Sequence, residues 1–334
     1  MGRSLGVGII GAGNMGHRHA RAYAFHAPRT RLVATCDVRS DAAARLAESF
    51  GCDTAANVEA LLARPDVDAV SICTPEPVHL EPLLKAAASR RHILIEKPMA
   101  VSMAEARRMK QAVEAAGVKL MVGHLFRFDR RCVAVRSALD AGRIGRLRSI
   151  DCRFHGTPAQ QDRIRDFELS LIVFRGCHAI DLMRWYSESE VVRVYAEDLQ
   201  GAMRARGYHS EDAVFCLMRF ANGTVGSLEV NAHVPPTHPS AGRSEMVLIG
   251  EEGMLEIDLG RPWLTIAGGE AFEHGSGDQK DLWFREQIDA FARYVLDDAP
   301  CLATADDAIA ALRVAVAAVE SARTHAPVAV EGAS

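Results

Sequence analysis

The stretch Leu5 to His19, LGVGIIGAGNMGHRH, restricts what this chain can fold into more than any other. Leu5 to Ile10 is short, apolar and partly β-branched, as a strand buried inside a parallel sheet should be. Gly11, Gly13 and Gly16 follow in the spacing G-x-G-x-x-G, and Asn14 to Ala27 has the Ala, Met, Arg and Tyr content of a helix. A strand that turns into a helix this tightly presents unpaired N–H groups and the positive dipole end at one point, where a pyrophosphate can sit. Side chains at the glycines would block that approach. An ordinary strand-to-helix turn can show the same glycines, so the context decides. A second strand is predicted over Arg31 to Cys36 and ends at Asp37, about twenty residues past Gly16, where an acid can accept ribose hydroxyl bonds. A carboxylate there repels a 2′-phosphate, so the expected cofactor is NAD rather than NADP, with Arg39 softening the preference.

The alternation continues. A helix is predicted over Asp41 to Phe50, with Ser40 as N-cap and Gly51 as its stop. Strands follow over Val67 to Cys73, Ile93 to Ile95 and Val118 to Val122, and helices over Pro77 to Ala88 and Ser102 to Ala116. Residues 1–123 therefore read as a doubly wound parallel sheet, which makes the fold class α/β. From His124 the pattern changes. Strands over Leu147 to Phe154, Val191 to Leu199, Ala213 to Phe220, Thr224 to Ala232, Ser244 to Ile249, Met254 to Asp258 and Trp263 to Ile266 are expected to be antiparallel. Asn222-Gly223 is a hairpin signal. Residues 124–334 form a second, α+β domain with a largely antiparallel open sheet, closed by helices over Asp281 to Leu296 and Ala303 to Arg323. The tail after Thr324 is expected to be loosely held.

A chain of 334 residues suits two domains, and 49% hydrophobic with 25% charged residues is a globular balance. A net charge of −4 without a basic tract gives no footprint for nucleic acid. No run reaches about 18 apolar residues, so no membrane partner is expected, and strand one begins almost at the N-terminus. The eight cysteines stand singly, which reads as buried thiols in a reducing, cytoplasmic setting.

Ligands of doubly wound sheets lie beyond the C-terminal ends of the strands. The residues at those ends are Gly11 to Gly16, Asp37, Thr74-Pro75, Glu96-Lys97-Pro98 and His124 to Arg127. The candidate cofactor residues are Gly11, Gly13, Asn14, Met15, Gly16, Asp37, Thr74, Pro75, His79, Glu96 and Lys97. Successive strand side chains point to opposite faces, so Glu96 and Lys97 cannot both enter the crevice without a kink. A lysine near a cationic nicotinamide can have its pKa lowered enough to share a proton with a substrate hydroxyl. His178 and Asp181, in GCHAIDLMRW, stand three apart on one helix face. An imidazole that titrates near neutrality suits proton removal from a carbinol. The same pair also fits a helix-capping contact, or two metal ligands; no third ligand stands in a fitting pattern, so no metal is expected.

The segments GIIGAGNMGHRHA, CTPEPVHLEPLLKAAASRRHILIEKPMAVSMAEA, GHLFRFD and GCHAIDLMRW together closely resemble the Gfo/Idh/MocA oxidoreductases, over nearly the whole chain. The resemblance implies a Rossmann-type first domain and an NAD(P)-dependent dehydrogenase that moves a hydride between nicotinamide and a CH–OH group of a sugar, sugar acid or cyclitol. It implies that Lys97, often followed by a cis bond to proline, works with His178, and that Asp181 contributes to the site. Arg127, His124 and His155 are implied or candidate substrate contacts beside Lys97 and Asp181. The face of the second sheet left uncovered is usually a subunit interface, so a homodimer or homotetramer is expected. One departure is Phe174, where many members carry an aspartate. A phenyl ring accepts no hydroxyl proton, which leaves the role to another acid such as Asp166 or Glu168. It also leaves open a non-catalytic NAD-binding sensor, or a hydrolase or eliminating enzyme with captive NAD. The loop His233 to Arg243, rich in Pro, Ser, Gly and His, is a candidate cover for the site.

Overall fold

Short apolar segments, each followed by a turn and an amphipathic helix, build the first sheet. In chain order these are β1 (Leu5–Ile10), α1 (Asn14–Phe25), β2 (Thr30–Cys36), α2 (Ser40–Phe50), β3 (Asp53–Thr54), α3 (Val58–Leu62), β4 (Ala69–Ile72), α4 (Leu80–Ala88), β5 (His92–Ile95), α5 (Met103–Ala116) and β6 (Leu120–Val122). The order is β3-β2-β1-β4-β5-β6, and every ladder is parallel. Strand order reverses between β1 and β4, so the glycine turn after β1 sits at the topological switch point. Ser102 caps α5, its hydroxyl accepting from Glu105 N at 3.2 Å. Ser40, the expected cap of α2, is instead its first residue; Arg39 holds the cap position without a side-chain bond. The structure, a computed structural model, describes residues 4–235, 237, 244–259, 263–268, 271–276 and 280–332.

The second sheet begins after α6 (Arg130–Asp140). It contains β7 (Leu147–His155), then, after a π-helical turn Ile172–Gly176 and α7 (Cys177–Ser187), β8 (Val191–Leu199). Beyond the short α8 (Ala202–Ala205) come β9 (Ala213–Phe220), β10 (Val225–Asn231), β11 (Ser244–Gly250), β12 (Gly253–Asp258), β13 (Trp263–Gly268) and β14 (Ala271–Ser276). Helices α9 (Lys280–Asp297) and α10 (Ala305–Thr324) follow, and β15 (Val328–Ala329) ends the series. The order is β14-β13-β12-β11-β7-β10-β9-β8-β15. The sheet is mixed rather than wholly antiparallel, because β10 runs parallel to β7. The tail is held further than expected: β15 pairs with β8, and Val330 is buried.

Side chains on this second sheet alternate, as a half-covered sheet requires. Ile150, Cys152 and Phe154 of β7 and Val214, Cys216, Met218 and Phe220 of β9 are buried, whereas Arg153, Phe215, Leu217 and Arg219 are exposed. The covered face meets α7. A Cβ on Gly226 would come within 2.4 Å of Met183 Cε, and one on Gly176 within 3.2 Å of Val230.

Two compact units result: residues 1–128 with 280–309, and residues 129–279 with 310–334. The chain thus returns to its first unit through α9, a step that the sequence reading, with a single boundary at 123/124, did not include. Phe284, Ile288 and Phe291 of α9 join Leu5, Val7, Ala20, Tyr23, Leu94 and Met121 in one buried cluster. Fully burying side chains of this size stabilises by about 1.5–3 kcal/mol each.

Candidate active site

In the first unit the glycine turn has the shape a dinucleotide needs. Gly11 has φ +100, and a Cβ there would stand 2.8 Å from Cys73 C; a Cβ on Gly16 would stand 2.1 Å from Gly11 O. Only glycine permits this closeness of β1, α1 and the turn after β4. A Cβ on Gly13 would meet nothing within 4 Å, so its surface faces open space. Gly13 is the cap of α1 and supplies no side-chain bond to the first N–H groups, which belong to Asn14, Met15 and Gly16. Asn14 is exposed and Met15 half-buried. Asp37, at the end of β2, accepts from Ala12 N at 2.7 Å and Arg39 N at 2.8 Å, each through a different oxygen. Both carboxylate oxygens retain lone pairs for ribose hydroxyls. Thr74, after β4, carries a buried Oγ1 with no partner, beside the exposed Pro75. An open helix start, an acid at the adjoining strand end and an orphaned hydroxyl fit NAD.

Lys97 follows β5, is 6% exposed, and is joined to Pro98 by a cis bond. Its neighbour Glu96, a candidate cofactor residue, is 3% exposed and has Oε1 3.0 Å from His19 Nε2. His19 Nδ1 is 3.2 Å from Ser71 Oγ, which Tyr23 OH meets at 2.8 Å. Burial favours the neutral His19 ring, but Cys73 and Glu96 outweigh it and push its pKa up to about 10. The His79 ring is wholly buried. Its nitrogens face Pro98 O at 3.0 Å, Met99 O at 3.3 Å and Thr74 O at 3.0 Å, so it braces the turns after β4 and β5. Burial lowers its pKa, keeping it neutral.

Arg127, in the 3-10 turn Leu125–Phe128, was expected to meet substrate. Nη1 donates to Leu302 O at 2.9 Å and Nη2 lies 3.1 Å from Asp307 Oδ1, so the guanidinium is held by the loop and helix start near residue 305. The guanidinium pulls the Asp307 pKa down although burial opposes it. His124, at the end of β6, is almost fully buried.

In the second unit α7 carries His178, half-buried, and Asp181, 1% exposed, one turn apart. Phe174 lies in the π-helical turn before them, with Arg163 Cζ 4.8 Å from its ring centroid. Segments of this π type recur at functional sites. His155, the candidate wall residue, ends β7 and is half-buried. It shares the odd-numbered register of Arg153, pairs with Glu229 on β10 at 3.0 Å, and therefore lies on the sheet face opposite α7. The proposed covering loop lies mostly outside the described residues, at 236 and 238–243. Among the described residues no group of three or more His, Cys, Asp or Glu is arranged to hold a metal ion, and no helix is long and apolar enough to cross a membrane.

The sequence reading missed the His19–Glu96 pair and the Thr74 hydroxyl. Their signal was present: His19 lies four residues from both Met15 and Tyr23, on the apolar side of α1, where a polar ring needs a partner.

Known proteins are similar to this chain over most of its length. Residues 5–124 match the oxidoreductase family with an NAD-binding Rossmann fold, and residues 132–256 match the GFO/IDH/MocA C-terminal domain. The inositol 2-dehydrogenase of Rubrobacter xylanophilus is 30% identical, across 98% of this chain and 93% of its own. The NAD(+)-dependent scyllo-inositol 2-dehydrogenase of Bacillus subtilis is 27% identical, across 96% of this chain and 94% of its own. The fold matches that of a Lactobacillus casei scyllo-inositol dehydrogenase, solved with NAD(H) and scyllo-inositol, at a TM-score of 0.85 and 22% identity, across 98% and 99% of the two chains. With both sequence halves matched and the glycine turn, Asp37 and the Glu96-Lys97-Pro98 step in place, the chain belongs to the Gfo/Idh/MocA family of NAD-binding oxidoreductases.

Proposed function

We propose that the protein is an NAD-dependent dehydrogenase that acts on a secondary alcohol, or the matching ketone, of a small cyclitol or sugar. The observation that carries this reading is a buried lysine, Lys97, following β5 of the same sheet whose β1, β2 and β4 ends hold the glycine turn, Asp37 and Thr74. NAD, when bound, supplies the hydride acceptor. Asp37 accepts bonds from the ribose, the open N-terminus of α1 holds the pyrophosphate, and the Asp37 carboxylate, which would repel a 2′-phosphate, favours NAD over NADP. The Lys97 amine and the His178 imidazole take and return the hydroxyl proton, and Asp181 orients the ring or the substrate.

Lys97→Met tests this. Turnover on a sugar and cyclitol panel should fall by about 10²- to 10⁴-fold while NAD still quenches protein fluorescence. Unchanged turnover would remove the mechanism. NADH accumulating with substrate loss favours dehydrogenation; product without NADH would point instead to captive NAD.

Assembly through the open face of the second sheet belongs to the same proposal. Phe215, Leu217, Val225 and Ile249 stand 41–57% exposed on one face of β9, β10 and β11, a patch of the kind that marks an interface. Eight cysteines outside any disulfide support a cytoplasmic setting.

A further inference from the structure

Arg175 stands in the π-helical turn before α7, three residues ahead of His178. Its guanidinium lies against Gly156, where a Cβ would stand 3.0 Å from both Cζ and Nη1. A glycine is what allows the group to lie there. Nη1 donates to Gln160 Oε1 at 2.9 Å, and Nη2 donates to the carbonyl of His155. Both acceptors are neutral, and Nε is buried with no acceptor. Among the described residues no carboxylate pairs with this cation. Burial alone acts on it, drawing its pKa down to about 10.

Other arginines of the same unit are treated differently. Arg131 pairs with Asp129, Arg136 with Asp140 and Arg184 with Glu190. A covered charge without a counter-charge is costly, and such groups cluster where a ligand completes them. The surrounding segment points the same way. The Gln161 amide and Ser170 Oγ are buried without partners, and Arg163 adds a second cation over the neutral Phe174 ring. Polar capacity here exceeds what the chain itself satisfies. The chemistry that fits an arginine fork with neutral flanking acceptors is a carboxylate, bound through two N–H groups.

We propose that Arg175 is an anion subsite of the substrate-binding unit, so that the substrate is an acidic polyol: a sugar acid or a carboxylated cyclitol. The carboxylate rests on the Arg175 fork while the carbinol to be oxidised lies toward His178. This rests on the dehydrogenase reading given above.

The test uses matched acid and neutral pairs, glucuronate with glucose and galacturonate with galactose, together with quinate and myo-inositol, assayed with NAD. Wild type should show kcat/KM about 10- to 100-fold higher on an acid than on its neutral partner, as a charged hydrogen-bond pair allows. Arg175→Gln should lose that preference and leave the neutral compounds unchanged, and Arg175→Lys, which keeps charge without the fork, should fall between. NAD quenching and the melting midpoint should be unaffected; if the glutamine variant does not fold, the lysine variant decides. Calorimetric binding of the same pairs to NAD-loaded Lys97→Met enzyme separates the two readings. Acids that bind through Arg175 without ever being oxidised uphold the subsite and sink the dehydrogenase. An acid preference that Arg175→Gln retains, or acids bound no better than their neutral partners, overturns the subsite and leaves the dehydrogenase standing.

Discussion

Glu96→Gln removes the anion facing the His19 ring while keeping the shape of the side chain. The pair is buried, and the folded pKa of His19 is about 10. A histidine with a raised folded pKa stabilises the fold fully below its unfolded value near 6.5, and the contribution is lost as pH rises through the folded value. Between those two pKa values the linkage amounts to ~4 kcal/mol at pH 7, falls to less than half of that at pH 9, and is nearly gone above about pH 10. The first figure falls within the ~3–5 kcal/mol expected when one partner of a buried ion pair is removed. Cys73 retains a share of the effect in the variant, so the expected loss is ~2–4 kcal/mol at pH 7, with about half of it gone by pH 9. Urea unfolding of both proteins, followed by circular dichroism at the two pH values, reads this as a difference of differences. A loss below ~1 kcal/mol at pH 7, or one unchanged at pH 9, would refute the assignment of a charged His19.

Gly13→Ala should leave the melting midpoint in place but weaken NAD binding at least about tenfold, because its methyl enters only open space that the pyrophosphate needs. Gly16→Ala should instead cost ~1–3 kcal/mol of stability, since its methyl meets the Gly11 carbonyl; equal effects of the two would contradict the geometry. Asp37→Asn keeps the bond from Ala12 N but removes the charge, and should raise the NADP-to-NAD ratio of kcat/KM by about tenfold or more in steady-state assays. Leu217→Glu, on the open sheet face, should reduce the mass measured by light scattering to that of one chain; an unchanged mass removes that face as the interface.

What could be read from the sequence was local. The glycine spacing, the acid about twenty residues on, the Ser102 cap and the Asn222-Gly223 hairpin each depend on a few neighbouring residues, and each stands where expected. Pairings between distant segments were not legible. Nothing near Leu147 announces that β7 will lie parallel to β10, and nothing near Arg127 names Leu302 or Asp307, which lie about 180 residues away. The register of His155 was legible: Cys152 and Phe154 mark the covered face of β7, and the next residue points away from it. Glu96 was half-read, since strand alternation separates it from Lys97 but does not supply its partner on α1.

The return of α9 has a consequence for synthesis. Phe284, Ile288 and Phe291 complete the apolar cluster around α1 and β1, so a nascent chain that has reached residue 128 still lacks one wall of its first globule. Ribosomes release proteins from the N-terminus onward, and domains usually fold in that order. Here the earliest residues must wait, partly unsheltered, until those near 300 emerge, and a fragment cut at 128 for expression inherits the same gap.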